Sequence, residues 1–253
     1  MSAALLHGRT TVISGAAGPR GIGLATARLF AEHGARVAIL DLDAEAAQAA
    51  AASLGEGHLG LACDVTEAEA CRDAVRRVLE AFGALDVLVN NAGVTQPVKT
   101  MEIDAAGWDR ILDVNLRGAL HLSQAAIPHM RAGGRGAIAC MSSVSAQRGG
   151  GIFGGPHYSA AKAGVLGLAK AMARELGPEG IRVNCVAPGL VQTDITGDAL
   201  TPDMKAEIAA GIPLQRLAEP KDVAGAFLFL CSDLSAYVTG AVIDVNGGLL
   251  IHG

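Results

Sequence analysis

Short runs of β-branched and aliphatic residues alternate with alanine-rich segments along almost the whole chain. Residues 10–14 (TTVIS), 36–40, 58–62, 85–89, 137–141, 181–186 and 241–245 read as seven short, buried strands. Between them, apolar positions recur at helical spacing. Helices are predicted from Gly23 to about His33, over 43–55, from Thr66 to about Phe82, over 105–130, over 158–176 and from Val223 onward. Asp43 reads as an N-cap and Gly55 as a stop; Thr66-x-x-Glu69 reads as a capping box, and Gly177-Pro178 as a second stop. Strands alternating with helices predict an α/β fold, a doubly wound parallel sheet of seven strands with helices on both faces. No repeat, linker or low-complexity tract divides the chain, so residues 1–253 are expected to form a single domain. Residues 190–222 lack a clean period and mix apolar spots with turn formers, which predicts a substrate lid.

Polar residues cluster where the predicted strands end. The first strand runs into Gly15, Gly18, Gly21 and Gly23, followed by a helix, and the second ends in Asp41. Glycines between strand and helix let the backbone approach a pyrophosphate, and an acid after the next strand sits where an adenosine ribose would be bound. Asp64-Val65 follows the third strand, and Asn90-Asn91-Ala92-Gly93 the fourth. Asn115 falls inside a predicted long helix, where its side chain competes for backbone hydrogen bonds. It reads either as solvent-facing or as a buried residue that bends the helix or holds a water.

The segment 142–162, SSVSAQRGGGIFGGPHYSAAK, carries the candidate chemistry. Tyr158 and Lys162 lie one helical turn apart and share a face. A phenol beside an ammonium, with serines upstream, forms a plausible proton-transfer site. Such a site moves protons only, so a hydride or electron carrier is expected elsewhere.

Composition narrows the remaining classes. The net charge is −5, with no basic stripe or Lys/Arg run, which argues against nucleic-acid and membrane partners. The five cysteines form no C-x-x-C pair and read as reduced, buried small residues. The N-terminal residues do not read as a signal peptide, and no apolar run approaches the length of a membrane span. A cytoplasmic protein is expected. The histidines show no ligand spacing, so no metal site is predicted.

Together these residues resemble the short-chain dehydrogenase/reductase family in its single-domain form, along essentially the whole chain. The motifs are Gly15…Gly21-Ile22-Gly23, Asp64-Val65, Asn91-Ala92-Gly93, Asn115, Ser143, Tyr158-x-x-x-Lys162 and Pro188-Gly189. The resemblance implies a Rossmann fold, a nicotinamide dinucleotide and oxidation of an alcohol or reduction of a ketone. Tyr158 would be the general acid/base, and Lys162 would lower its pKa and hold the nicotinamide ribose. Ser143 would bond the substrate oxygen, and Asn115 would hold a water leading to Lys162. Val191 and Thr193 would add cofactor contacts, and a homotetramer would be the assembly.

The chain departs from the family in places. Gly15 and Gly21 enclose five residues where the family usually has three. Ser143 lies two residues farther from Tyr158 than usual, whereas Ser145 has the usual spacing. Ser143 is preferred because it directly ends a strand. The four-residue step from Tyr158 to Lys162 differs from that of enoyl-thioester reductases and favours carbonyl chemistry. Asp41 favours NAD and repels the 2′-phosphate of NADP, while Arg20 matches a position that is often basic in NADP-preferring relatives. Asp41 is given the greater weight, so NAD is expected and NADP is the less favoured cofactor. Ser145, Gln147, His157 and Gln192 are candidates for a small polar substrate such as a polyol, sugar or hydroxy acid. An NADPH-dependent 3-oxoacyl-thioester reductase is the alternative, with Arg131 and Arg174 facing an acidic carrier. A dinucleotide-binding sensor without turnover is the reading of a different class.

Overall fold

A computed structural model describes residues 4–151, 153–195 and 200–252. Seven strands form one sheet: β1 (Thr10–Ser14), β2 (Arg36–Asp41), β3 (Leu59–Ala62), β4 (Val87–Asn90), β5 (Gly136–Met141), β6 (Ile181–Pro188) and β7 (Val242–Val245). All pairings are parallel, in the order β3-β2-β1-β4-β5-β6-β7. The order reverses between β1 and β4, and a crevice at such a switch point is where open α/β sheets bind ligands.

Helices α1 (Ile22–Glu32), α2 (Ala44–Ala52) and α9 (Pro220–Cys231) cover one face. Helices α3 (Ala68–Phe82), α5 (Gly118–Ala132) and α7 (Pro156–Leu176) cover the other. Buried on both sides, the strands read as continuous apolar runs. The face of α7 formed by Val165, Ala169 and Met172 is buried against the sheet, with Leu168 packed beside it. Close packing needs small residues. A Cβ on Gly60 of β3 would lie 2.2 Å from the Ala47 carbonyl oxygen, so α2 rests directly on the strand backbone.

Most predicted elements are present, with three differences. Asp43 caps α2 as expected, its Oδ1 accepting from the Glu45 and Ala46 amides. The Thr66–Glu69 capping box is absent: Thr66 Oγ1 donates to Asp64 Oδ1 at 2.7 Å, and α3 starts at Ala68 without a side-chain cap. The helix expected over 105–130 is interrupted. It divides into α4 (Ala105–Leu112), a wide π turn (Asp113–Arg117) and α5. Asn115 explains the break: it is buried, and its Nδ2 donates to the Ile111 carbonyl one turn back at 2.9 Å. A side chain that competes for the helical ladder widens it. The segment 190–222 contains α8 (Pro202–Ala210) and a small apolar cluster of Leu200, Ile212 and Leu217. Among the described residues, no helix is long and apolar enough to cross a membrane.

Gly60→Ala should lower the stability by roughly 2 kcal/mol or more, since the added methyl meets backbone that cannot yield. Gly225→Ala, exposed on α9 with nothing within 4 Å, should stabilise by about 0.5–1 kcal/mol. Thermal or urea unfolding of both variants checks the contrast.

Candidate active site

The carboxyl ends of the strands open onto a cavity of about 890 Å³. One end is walled by the β1–α1 loop. Gly15 takes a left-handed φ of +62°, and a Cβ there would lie 2.7 Å from Ala92 Cα. A Cβ on Gly23 would meet Asn91 Nδ2, Ala16 Cα and the Gly15 oxygen, each at 2.7 Å. Asn91 braces this loop, donating through Nδ2 to the Ser14 and Gly15 carbonyls at 2.9 and 2.8 Å. Gly21 begins α1 with no side-chain cap, so the first-turn amides keep their donors for an anion. Asp41 stands beside the loop and is fixed there: its Oδ2 accepts from the Ala17 amide and its Oδ1 from the Leu42 amide, both at 2.9 Å. Asp64 and Val65 line the cavity beyond it.

The other end gathers the proton-transfer groups. β5 delivers Ser142 and Ser143, and, after the short helix α6 (Ser145–Arg148), α7 delivers Tyr158 and Lys162. Ser142 Oγ donates to the Lys162 carbonyl, and Lys162 Nζ donates to the Met141 carbonyl, both at 2.9 Å. The strand end thus grips α7 twice. The Lys162 ammonium lies 5.7 Å from the centre of the Tyr158 ring. Asn115 Nδ2 donates to Val94 and Ile111 carbonyls, while its Oδ1 is buried without a partner among the described residues. A Cβ on Gly93 would lie 2.8 Å from that Oδ1 and 3.3 Å from Lys162 Nζ, so the bare glycine keeps the space between them open.

Burial sets the protonation states. Lys162 is pushed down from its ordinary 10.5 to about 8 by desolvation. Burial raises the Tyr158 phenol, and a hydrogen bond with the Ser143 side chain draws it back. The expected depression of Tyr158 by Lys162 meets an opposing desolvation, which is the largest influence on the phenol. Ser143 and Tyr158 both line the cavity, and Ser143 Oγ accepts from the Ser145 amide at 3.1 Å. Ser145 lies beside the glycine loop, its Oγ 3.6 Å from the positions a Cβ would take on Gly151 and Gly154, and it also lines the cavity. Pro188, Gly189, Val191 and Thr193 complete the wall below β6.

Three substrate candidates are not brought to the cavity. Gln147 turns away and donates through Nε2 to Asp244 Oδ1 at 2.9 Å, with His252 Nε2 at 3.0 Å. His157 is fully buried, with Nε2 2.9 Å from Gln96 Oε1, and burial lowers its pKa. Gln192 is exposed, and its backbone amide bonds the Ala218 carbonyl. Arg20 is also outside the wall, bonded to Asp194. The cavity instead recruits residues that sequence reasoning missed: Arg148, Phe153, Met204, Glu207, Ile208 and Leu249. Arg148 had a signal, being a basic residue in the glycine-rich loop before Tyr158. Met204, Glu207 and Ile208 come from α8, inside the segment 190–222, where Met204 and Ile208 are among the apolar spots of the sequence.

A family model described as enoyl-(acyl carrier protein) reductase matches residues 15–250. An uncharacterized short-chain type dehydrogenase/reductase of Sinorhizobium fredii is 67% identical over 252 residues, covering 98% of this chain and all of that protein. The chain belongs to the short-chain dehydrogenase/reductase family. A 3-oxoacyl-(acyl-carrier-protein) reductase of Chlamydia trachomatis is 40% identical over 249 residues, 97% of this chain and 98% of that one. The crystal structure of a short-chain type dehydrogenase/reductase from Mycobacterium marinum superposes with a TM-score of 0.92 at 34% identity over 98% of both chains. Membership of the short-chain dehydrogenase/reductase family makes this protein an oxidoreductase of a family that binds a nicotinamide dinucleotide. The glycine wall, the uncapped α1 and the braced Asp41 fit such a ligand.

The buried lysine has a cost in stability. Its folded pKa lies below its unfolded one, so between about pH 8 and 10.5 the unfolded chain holds more protons and stability from this group rises with pH. Below pH 8 the full penalty, of roughly 3 kcal/mol, is present. Lys162→Met should therefore unfold at higher denaturant than wild type below pH 8, with the gap closing as pH rises to 10.5. Urea titrations of both proteins across that range measure it.

Proposed function

We propose that this protein is an NAD-dependent oxidoreductase acting on a secondary alcohol or the corresponding ketone. The observation that carries the reading is the convergence of Ser143, Tyr158 and the buried Lys162 on the end of a glycine-walled cavity. The dinucleotide supplies the hydride when bound. Tyr158 gives a proton to the carbonyl oxygen in reduction and takes it from the alcohol in oxidation. Ser143 donates to the same oxygen as charge develops. Lys162 positions a cation near the phenol and the nicotinamide ribose. The orphan Oδ1 of Asn115 fits a water on the route between Lys162 and solvent. In this reading α8 belongs to a substrate lid, with Met204 and Ile208 lining the cavity. Exposed Met101, just before α4, and Trp108, on α4, support self-association, with a homotetramer as the proposed state.

NAD is the preferred cofactor in this reading, because Asp41 accepts ribose hydroxyls and repels a 2′-phosphate. A polyol, sugar or hydroxy acid is the proposed substrate class. A second reading, an NADPH-dependent 3-oxoacyl-thioester reductase, draws support from the relative of that name at 40% identity. The four-residue step from Tyr158 to Lys162 favours carbonyl chemistry in both readings over the enoyl reduction named in the family model's description.

NADH absorbance should change on adding members of a panel of secondary alcohols and ketones, and Tyr158→Phe should lower kcat/KM by about a hundredfold or more. Retained activity in Tyr158→Phe would overturn the mechanism. kcat/KM should be higher with NAD than with NADP, and Asp41→Ala should narrow the ratio by about tenfold. Faster turnover of a 3-oxoacyl thioester with NADPH would replace the first reading with the second.

A further inference from the structure

Arg148 lines the cavity but has no part in the proton chemistry above. It ends α6, the short turn that follows Ser143. That turn is fixed at the phenol end of the cavity. The Val144 amide donates to the Pro188 carbonyl at 2.9 Å, and Gln147 is engaged by Asp244. Beyond Arg148, the Gly150 amide donates to Ser159 Oγ at 2.9 Å, and a Cβ on Gly154 would lie 2.8 Å from Tyr158 Cδ1. The chain on both sides of Arg148 is therefore tied to the elements that carry Ser143 and Tyr158. The guanidinium itself is exposed and has no side-chain hydrogen bond or ion pair among the described residues. Glu207 lines the cavity from α8 and is not paired with it.

The same end has an apolar wall. Phe153, in the loop between Arg148 and Tyr158, joins Met204, Ile208 and Leu249 in packing against the cluster of Leu200, Ile212 and Leu217. Phe153, Met204, Ile208 and Leu249 all line the cavity. A polyol or sugar seated there would turn hydroxyls toward side chains that cannot bond them. An aliphatic chain would gain by leaving water, and an unengaged guanidinium is suited to a carboxylate. We propose that Arg148 binds the carboxylate of the substrate, a hydroxy acid or the matching keto acid whose aliphatic chain rests on Phe153, Met204, Ile208 and Leu249. The inference rests on the alcohol/ketone reading above and selects one of its three substrate classes. Arg148 holds the substrate and moves no proton.

The size of the effect follows from exposure. An exposed guanidinium is screened by water, so one carboxylate contact corresponds to roughly five- to tenfold in kcat/KM. The effect falls mainly on KM, because the carboxylate carries the same charge in the bound substrate and in the transition state. Arg110 also lines the cavity, from the last turn of α4, where its charge complements the carbonyl end of that helix. It provides the control for a cation in the cavity that is not on the loop over Tyr158.

Matched substrates test this. With NAD, kcat and KM are measured for 2- and 3-hydroxyhexanoate, their methyl esters, xylitol and 3-hydroxyhexanoyl-coenzyme A. At least one of the two acids should exceed its own ester by roughly five- to tenfold in kcat/KM, and should exceed xylitol and the thioester as well. Arg148→Ala should abolish the difference between acid and ester, and Arg148→Lys should restore part of it. Arg110→Ala should preserve it. A difference of this kind is not moved by a merely structural role, which would weaken acid and ester alike. Esters turned over as well as the acids, an acid preference that survives Arg148→Ala, or faster turnover of xylitol or the thioester would overturn the proposal while leaving the alcohol/ketone reading in place. Absence of turnover with every secondary alcohol and ketone would refute that reading and the proposal with it. Melting temperatures within a few degrees of wild type verify that each variant is folded.

Discussion

A single buried ammonium organises this site. Lys162 is 2% exposed, and its charge is held by the Met141 carbonyl at the end of β5. A cation in such a place has to be hydrogen-bonded or it neutralises. The surroundings supply what it needs: Ser142 clamps the lysine's own backbone, Gly93 keeps the space beside it free of a side chain, and Asn115 turns a bare oxygen toward that space. The π turn at Asp113–Arg117 is the backbone consequence of placing Asn115 there. These features lie on four different elements, and the parallel sheet brings them to one edge.

The same edge explains how one cavity serves two tasks. Its glycine end offers backbone donors and close approach, which suits a polyanionic ligand. Its lysine end offers a phenol whose ionisation is resisted by burial and helped by Ser143. At neutral pH the lysine remains mostly charged and the phenol neutral, because burial lowers one only to about 8 and raises the other. In the proposed mechanism these protonation states suit proton donation from Tyr158. In the proposed mechanism the positive charge of an oxidised nicotinamide would favour the ionised phenol for the opposite direction.

The strands and the helices that cover them were legible in the sequence because both are governed by simple periods and by end signals such as Asp43. Tyr158 and Lys162 were legible as a pair because a helical turn fixes their separation. Other features depend on contacts between distant segments. The π turn follows from Asn115 bonding a carbonyl one turn back, which an asparagine in a helix pattern does not announce. Gln147 and His157 looked like substrate contacts by position, but they are engaged by Asp244 and Gln96, partners 97 and 61 residues away. Thr66 resembled a cap until Asp64 took its hydroxyl. Arg20 seemed to compete with Asp41, and only the tertiary pairing with Asp194 shows it engaged.

The most direct test is a spectroscopic titration of the phenol itself. The chain has two tyrosines, Tyr158 and the fully exposed Tyr237, so the tyrosinate band of wild type minus Tyr158→Phe reports Tyr158 alone. The account predicts that Tyr158 ionises above the ordinary tyrosine range in the ligand-free protein and at distinctly lower pH with NAD bound. A Tyr158 titration that NAD leaves unmoved would contradict it.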